Sequence, residues 1–298
     1  MSGSPVSPPF DRRRVIISAD DFGLSPGVNA GILTGHRDGV LTNASLMVNG
    51  AACAEAVELA RATPTLSVGL HLVLVQGRAT APPATIPALV DRDGMFGDNA
   101  VIAGLRYFFT PGIRAQIECE VRAQLDAYMQ TGLPLAHLDG HLNIHMHPTV
   151  LSIVLRLAPQ YGIRAMRLPR EPLGISLRLD RRARLRKTTE AVTFKALTAF
   201  ARPRLKACGI RHPDQMFGLH QSGHMTESYL LGVLDALPPG VTEIYCHAAV
   251  VDAEARRWRP ADYESAAELA ALTSARVRAA LAGRGVERIS YRDLAASV

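Results

Sequence analysis

A chain of 298 residues with 48% apolar composition has material for one large α/β domain or two small ones, and its 20% charged and 5% aromatic content excludes a disordered or fibrous protein. The formal net charge of +6 favours anionic surfaces, yet Lys and Arg lack the dense patterning of a nucleic-acid binder. Four cysteines lie far apart with no C-x-x-C pair, which excludes a disulfide scaffold and a structural zinc knuckle.

Residues 1–11 read as a disordered tail. The opening "MSGSPVSPPFDRRR" has no apolar central region, and no window approaches the roughly 20 apolar residues of a spanning helix, so a cytoplasmic protein is expected. From residue 12 onward, short apolar runs alternate with helical patterns. Strands are predicted at 14–20, 43–49, 66–74, 135–141, 164–169, 216–220, 243–249 and 286–291, with helices at 51–62, 113–131, 148–161 and 225–237 between them. Eight strands alternating with helices predict a distorted (β/α) TIM-like barrel over 12–298; a doubly wound open sheet is the alternative, and no G-x-G-x-x-G follows the first strand to support dinucleotide binding. Two stretches read as insertions: 76–100, rich in Gly, Pro and Asp, and 172–212. The second holds eleven Lys/Arg from Arg178 to Arg211, interleaved with apolar Val192, Phe194, Leu197 and Phe200. That pattern fits either a solvated helix packed on the barrel or a basic amphipathic helix on an anionic membrane.

The first strand ends in "SADDFG", placing Asp20 and Asp21 side by side. Such a pair is compatible with a helix N-cap ahead of Ser25-Pro26, and the tripeptide DFG invites a kinase reading that fails for want of an H-R-D loop or a V-A-I-K strand. The two-residue period of the third strand puts Ser67, Gly69 and His71 on one face, and that of the fourth puts His137, Asp139 and His141 together. Four of the ten histidines fall within 137–147. Barrel sites form at the C-terminal strand ends, and a carboxylate with two histidines from separate strands is a common divalent-metal ligand set. Asp21, His71 and His141 are therefore the expected ligands.

"ISADDFGLSPGVNAGI", "TNASLMVNG", "VGLHLVL", "HLDGHLNIHMHP" and "IYCHAAV", in this order across roughly 14–250, resemble the YdjC-type carbohydrate deacetylases, and "MRLPREP" at 166–172 is similar to the branch associated with hopanoid biosynthesis. The resemblance implies a distorted (β/α) barrel that removes an N-acetyl group from an amino sugar at a metal-bound water, with Asp21, His71 and His141 on the metal. "CHAAV" stands where the family often has "CHPG". Within that frame Asp20 is the expected general base and His247 the general acid. His137 and Asp139 are expected to orient the ligand imidazoles, and His145, His147 and Arg167 to contact substrate. The cofactor is one divalent ion, Zn²⁺ ahead of Mg²⁺ or another, since mixed nitrogen and oxygen ligands suit zinc. The expected partner is an N-acetylated amino sugar carried by a glycosylated hopanoid, with peripheral membrane contact through 178–211; soluble chitooligosaccharides are the alternative substrate. Two other readings compete: a mononuclear iron oxygenase, which shares the two-histidine, one-carboxylate triad, and a non-catalytic metal- or glycolipid-binding protein.

Overall fold

The apolar run that leads into the paired aspartates forms the central strand of the sheet. The computed structural model describes residues 12–297, and the tail expected over 1–11 lies outside the described residues. In chain order the elements are β1 (Arg13–Phe22), α1 (Pro26–Arg37), β2 (Asn43–Leu46), α2 (Cys53–Arg61), β3 (Ser67–Leu72), α3 (Ala100–Phe109), α4 (Ile113–Gln130), β4 (Leu138–Gly140) and α5 (Pro148–Tyr161). There follow α6 (Leu173–Leu179), α7 (Arg184–Ala207), β5 (Gln215–Phe217), α8 (Glu227–Asp235), β6 (Gly240–Cys246), α9 (Ala253–Trp258), α10 (Ser265–Thr273), α11 (Ala275–Gly283), β7 (Glu287–Arg288) and α12 (Tyr291–Ala296). A 3₁₀ turn, His141–Met146, follows β4 directly. Local chemistry sets the boundaries. Ser25 Oγ accepts from the Val28 N–H at 3.2 Å with Pro26 in the first turn of α1, so the cap at Ser25 is real while the aspartates stay on the strand.

All strand pairs are parallel, in the order β4-β3-β2-β1-β6-β5. The sheet curls into a distorted barrel, and residues 165–170 bridge the gap between β4 and β5. Arg167 N–H donates to Leu138 O at 3.2 Å, and Met216 N–H to Arg170 O at 3.0 Å. Two of the eight expected strands differ from their prediction. The 164–169 run makes only isolated bridges at Ala165 and Met166, because Pro169 has no N–H to give and the Arg170 N–H turns back to Leu168 O. The 286–291 run contributes just Glu287–Arg288, paired to Arg14 and Val15 at the start of β1, because Ser290 and Asp293 form a capping box that starts α12. The ring therefore closes with β6 directly on β1.

Alternation along the strands sorts side chains into two sets. Ile17, Ala44, Leu70, Leu138 and Ile244 face the helices in the main apolar core. The inward set forms layers. Ile16, Ala165 and Val241 meet Ile289, Tyr291 and Leu294, so the C-terminal segment plugs the lower end of the barrel. Above this plug the interior is polar. Gly69 makes room for it, since a Cβ at that position would sit 2.2 Å from Nδ1 of His137. The segment 76–100 is held by Glu120, whose carboxylate accepts from the Thr80 and Ala81 N–H groups at 2.8 Å each. The basic segment expected at 172–212 folds as α6 and α7.

Candidate metal centre and cleft

Neighbouring residues on a regular strand point to opposite faces, so two adjacent aspartates should not share a site. Here the register of β1 on β2 slips between Ala19 and Phe22, and Asp21 takes a left-handed conformation with φ of 67°. Aspartate tolerates that region better than most residues, and the bulge turns both carboxylates into one cleft at the C-terminal end of the barrel. Strain of this kind costs about 1–3 kcal/mol and is held by the surrounding structure.

Asp21, His71 and His141 converge. Nδ1 of His141 lies 3.2 Å and Nε2 of His71 3.6 Å from Asp21 Oδ1, and the two imidazoles meet edge to face with centroids 5.5 Å apart. Asp21 Oδ1 is buried and has no hydrogen-bond donor, which is what a metal-facing oxygen requires. Its other oxygen is occupied, Oδ2 accepting from Nε and Nη2 of Arg259 at 3.2 and 3.1 Å. Burial would raise the Asp21 pKa, but the His141 imidazole beside it and the charge of Arg259 outweigh it and hold the carboxyl well below its usual range. The three side chains each offer one atom, all within 4.8 Å of one another, and His141 remains open to the cleft. The set fits a divalent ion. A second triad, Asp20, His71 and Asp139, also comes together, but its cation is already present as the Arg167 guanidinium.

His71 is oriented by Asp139, whose Oδ1 accepts from Nδ1 at 2.8 Å. Burial alone would depress the His71 pKa; the carboxylates of Asp139, Asp20 and Asp21 overcome it and push the group up to about 9. A metal must displace that proton from Nε2. We expect metal uptake near neutral pH to release about one proton, and apparent affinity to rise about tenfold per pH unit up to about 9. Titration calorimetry in buffers of different ionisation enthalpy reads the release, and a buffer-independent heat would contradict it. In the chelated protein the sign is opposite: the His71 pair contributes its full stability below pH 6.5 and loses it as pH rises through about 9.

Behind the cleft lies a buried ion network. Arg167 donates to both oxygens of Asp20 at 2.7 and 2.8 Å, reaches Asp139 at 3.0 Å and holds Glu243 through Nε and Nη2. Its guanidinium also lies 4.5 Å from the centre of the Tyr245 ring. Arg167 is completely buried and does not line the cleft, so its position is behind Asp20 and not at a sugar. His137 does not touch the imidazole of His71 or His141 either. It stacks on Tyr291 at 4.0 Å and meets Ser45 Oγ at 3.2 Å, while Ser45 donates to Asp139 at 2.7 Å. His145 is buried with Nε2 on the Arg167 carbonyl at 3.1 Å, and burial pushes its pKa down to about 4. His147 packs between Tyr107 and Phe108. Both lie off the cleft wall. His247 does line the cleft, beside Tyr245 and Tyr263; its Nδ1 has no partner, and burial pushes its pKa down to about 4 despite Asp21 and Asp20 nearby.

The cleft encloses about 260 Å³. Much of its wall was not legible as functional in the sequence. Trp258, Arg259 and Tyr263 come from the segment after β6, and Arg186, Glu190 and Phe194 from α7, the helix of the basic stretch. Arg259 is fixed by the His247 carbonyl and by Ser265 Oγ as well as by Asp21. It stands in "RRWRP", where spacing gives no sign of a carboxylate partner 238 residues away.

A family model described as YdjC-like protein matches residues 14–283. The chain belongs to the YdjC-like family. A carbohydrate deacetylase of Geobacillus stearothermophilus is 34% identical over 284 residues, covering 94% of this chain and 98% of the relative. A chitooligosaccharide deacetylase of Salmonella schwarzengrund is 32% identical over 286 residues, covering 95% and 99%. Among solved structures, an Enterococcus faecalis protein provisionally named a cellobiose-phosphate cleavage protein superposes with a TM-score of 0.72 at 27% identity, covering 95% of this chain and 99% of that one.

Proposed function

We propose that this YdjC-like protein is a metal-dependent carbohydrate N-deacetylase, hydrolysing the acetamide of an N-acetylated amino sugar. One observation carries the reading: Asp21, His71 and His141 form a half-open donor set with an unpartnered carboxylate oxygen, and Asp20 stands beside it on the cleft wall. The deacetylase names of two full-length relatives support it. When bound, a divalent ion supplies Lewis acidity and a water of lowered pKa; the nitrogen and oxygen donors suit Zn²⁺ first.

The chain's own groups do the rest. Asp20 takes the proton from the attacking water as the carbon–oxygen bond forms, its orientation fixed by the two hydrogen bonds from Arg167. Asp139 keeps His71 turned so that Nε2 faces Asp21. His247 enters neutral, as its burial dictates; negative charge developing beside it raises its basicity, so it takes up the water-derived proton from Asp20 and passes that proton to the leaving nitrogen, which restores both groups. The carbon–nitrogen bond then breaks, leaving acetate and the free amine. Trp258 and Tyr263 offer flat apolar surface to a sugar ring.

The finer reading is a lipid-linked substrate, a glycosylated hopanoid, reached by peripheral contact through 178–211. Its support is the branch resemblance and the basic composition of α7. "MRLPREP" itself acts inside the fold: Arg167 holds Asp20, and Glu171 accepts from the Leu219 and His220 N–H groups at 2.8 and 3.1 Å. The test is mass spectrometry of N-acetylated chitooligosaccharides and of N-acetylglucosaminyl hopanoid after incubation with metal-loaded protein. The expected result is loss of one acetyl group with release of acetate, continuing without oxygen. No acetate from any N-acetylated glycoside with Zn²⁺, Co²⁺ or Mg²⁺ supplied would end the proposal, and a strict need for oxygen would point to an oxygenase instead.

A further inference from the structure

The helix α3, AVIAGLRYFF, is apolar on nearly every side, a composition that normally belongs inside a core. Here it lies on the surface. Val101 is 71% exposed, Ile102 63%, Leu105 55%, Phe108 60% and Phe109 71%, and of the whole helix only Tyr107 is buried. These five side chains recur at i, i+1, i+4, i+7 and i+8, one continuous face. So large a contiguous apolar surface on a soluble fold marks a contact site.

Its place in the fold tells what it contacts. The helix packs against α5 and the 3₁₀ turn that carries His141, and α7 packs against the same two elements from another side. A depression lined by Gln76, Trp258 and Arg106 leads from the edge of the cleft to α3. On the lip between them Leu142 is 43% exposed. The α7 side repeats the mixture: Leu185 is 82% and Val192 66% exposed among arginines. Arg106, Arg114, Arg181 and Arg184 are exposed and have no carboxylate partner among the described residues.

We infer that α3, with the basic start of α7, docks the mouth of the cleft on an anionic lipid bilayer. Charge selects this occupant. A bilayer with acidic head groups complements unpaired arginines around an apolar helix, and an interfacial helix sinks its apolar face about 5–10 Å while cations stay at the head groups. A second copy of this chain fits worse. A symmetric pairing through α3 would bring the two Arg106 side chains toward each other. A ten-residue helix, about 15 Å long, also falls well short of the roughly 800 Å² per partner of a stable interface. Vesicle binding is independent of the deacetylase chemistry; that the docked cleft serves a lipid-linked sugar rests on the reading given above.

The experiment is vesicle flotation of the full chain with phosphatidylcholine alone and with phosphatidylcholine mixed with phosphatidylglycerol. The protein should float with the anionic vesicles only, and less so as salt rises. The combined exposed-face variant Val101→Gln, Ile102→Gln, Phe109→Gln should weaken binding about tenfold or more, and Arg181→Glu with Arg184→Glu should do the same. Both should keep the parent melting temperature and release acetate from a soluble chitooligosaccharide at the parent rate. Absence of binding to anionic vesicles overturns the proposal, and so does undiminished binding by the apolar variant. A doubled mass in light scattering that the apolar variant abolishes would assign the face to a second copy and overturn it as well. Loss of soluble-substrate activity in the parent protein with vesicle binding intact would count against the deacetylase reading alone.

Discussion

Asp20→Asn should leave metal binding intact and lower kcat on an N-acetylated glycoside by about 10²–10⁴-fold, the usual worth of a positioned general base. The geometry makes this a clean substitution. Asp20 is not among the three donors that meet around Asp21 Oδ1, so the ligand set survives. An amide replaces one of the two oxygens that accept from Arg167, and the guanidinium keeps Asp139 at 3.0 Å and Glu243 at 3.0 Å. The arginine is therefore never left without a counter-charge, and the loss of fold stability should stay near the about 1–3 kcal/mol of a damaged buried hydrogen bond. Metal content by atomic absorption, melting temperature and steady-state kinetics on the same sample separate these outcomes. A kcat within tenfold of the parent would remove Asp20 from the proton-transfer role. The non-catalytic alternative makes the contrary prediction, that the parent protein has no turnover to lose.

The adjacent aspartates also show where sequence reading succeeds and where it stops. The meeting of Asp21, His71 and His141 was legible because strand ends and the two-residue period are local properties: His71 on β3 and His141 just after β4 must reach the same end of a parallel barrel. What local pattern could not supply was the left-handed turn at Asp21. Regular alternation would have sent Asp20 and Asp21 to opposite faces, and only the slip of β1 on β2 brings both to the cleft. Arg167 illustrates the second limit. An arginine in a motif near a sugar site reads as a substrate contact, yet three carboxylates from β1, β4 and β6 draw it into the barrel interior. Such a network is a property of the closed ring, not of any one strand. His145 and His147 belong to the same lesson, since the 3₁₀ turn with Leu142 and Asn143 at φ of 51° and 56° swings the chain away after His141. Arg259 was illegible for the opposite reason: nothing around it is patterned, and its partner is distant in sequence. The fold reading was sound for the central strands and weakest at the rim, where Pro169 and the Ser290 cap stop strands that apolar composition alone would extend.

Asp21→Asn is expected to be the more severe change, abolishing metal retention and activity together. Asparagine is among the few residues at ease in the left-handed region, so the backbone at φ of 67° should persist where alanine would strain it. The loss then falls on the charge. Without a carboxylate, His71 and His141 face a neutral amide. Metal affinity should drop by more than the about 10–100-fold that removal of an outer partner costs, with acetate release falling to background. The same substitution takes from Arg259 its one carboxylate partner among the described residues, leaving a buried guanidinium on the His247 carbonyl and Ser265 Oγ. An uncompensated buried charge costs about 3–5 kcal/mol, so the melting temperature should fall as well. Adding Arg259→Gln distinguishes the two effects. The double variant should recover much of the stability, because the stranded charge is gone, yet recover no metal binding. Chelator competition reads the affinity and thermal unfolding the stability. If Asp21→Asn held metal as tightly as the parent, the donor set would have to be sought elsewhere in the cleft. If the double variant regained metal along with stability, Asp21 would be an anchor for Arg259 and not a ligand.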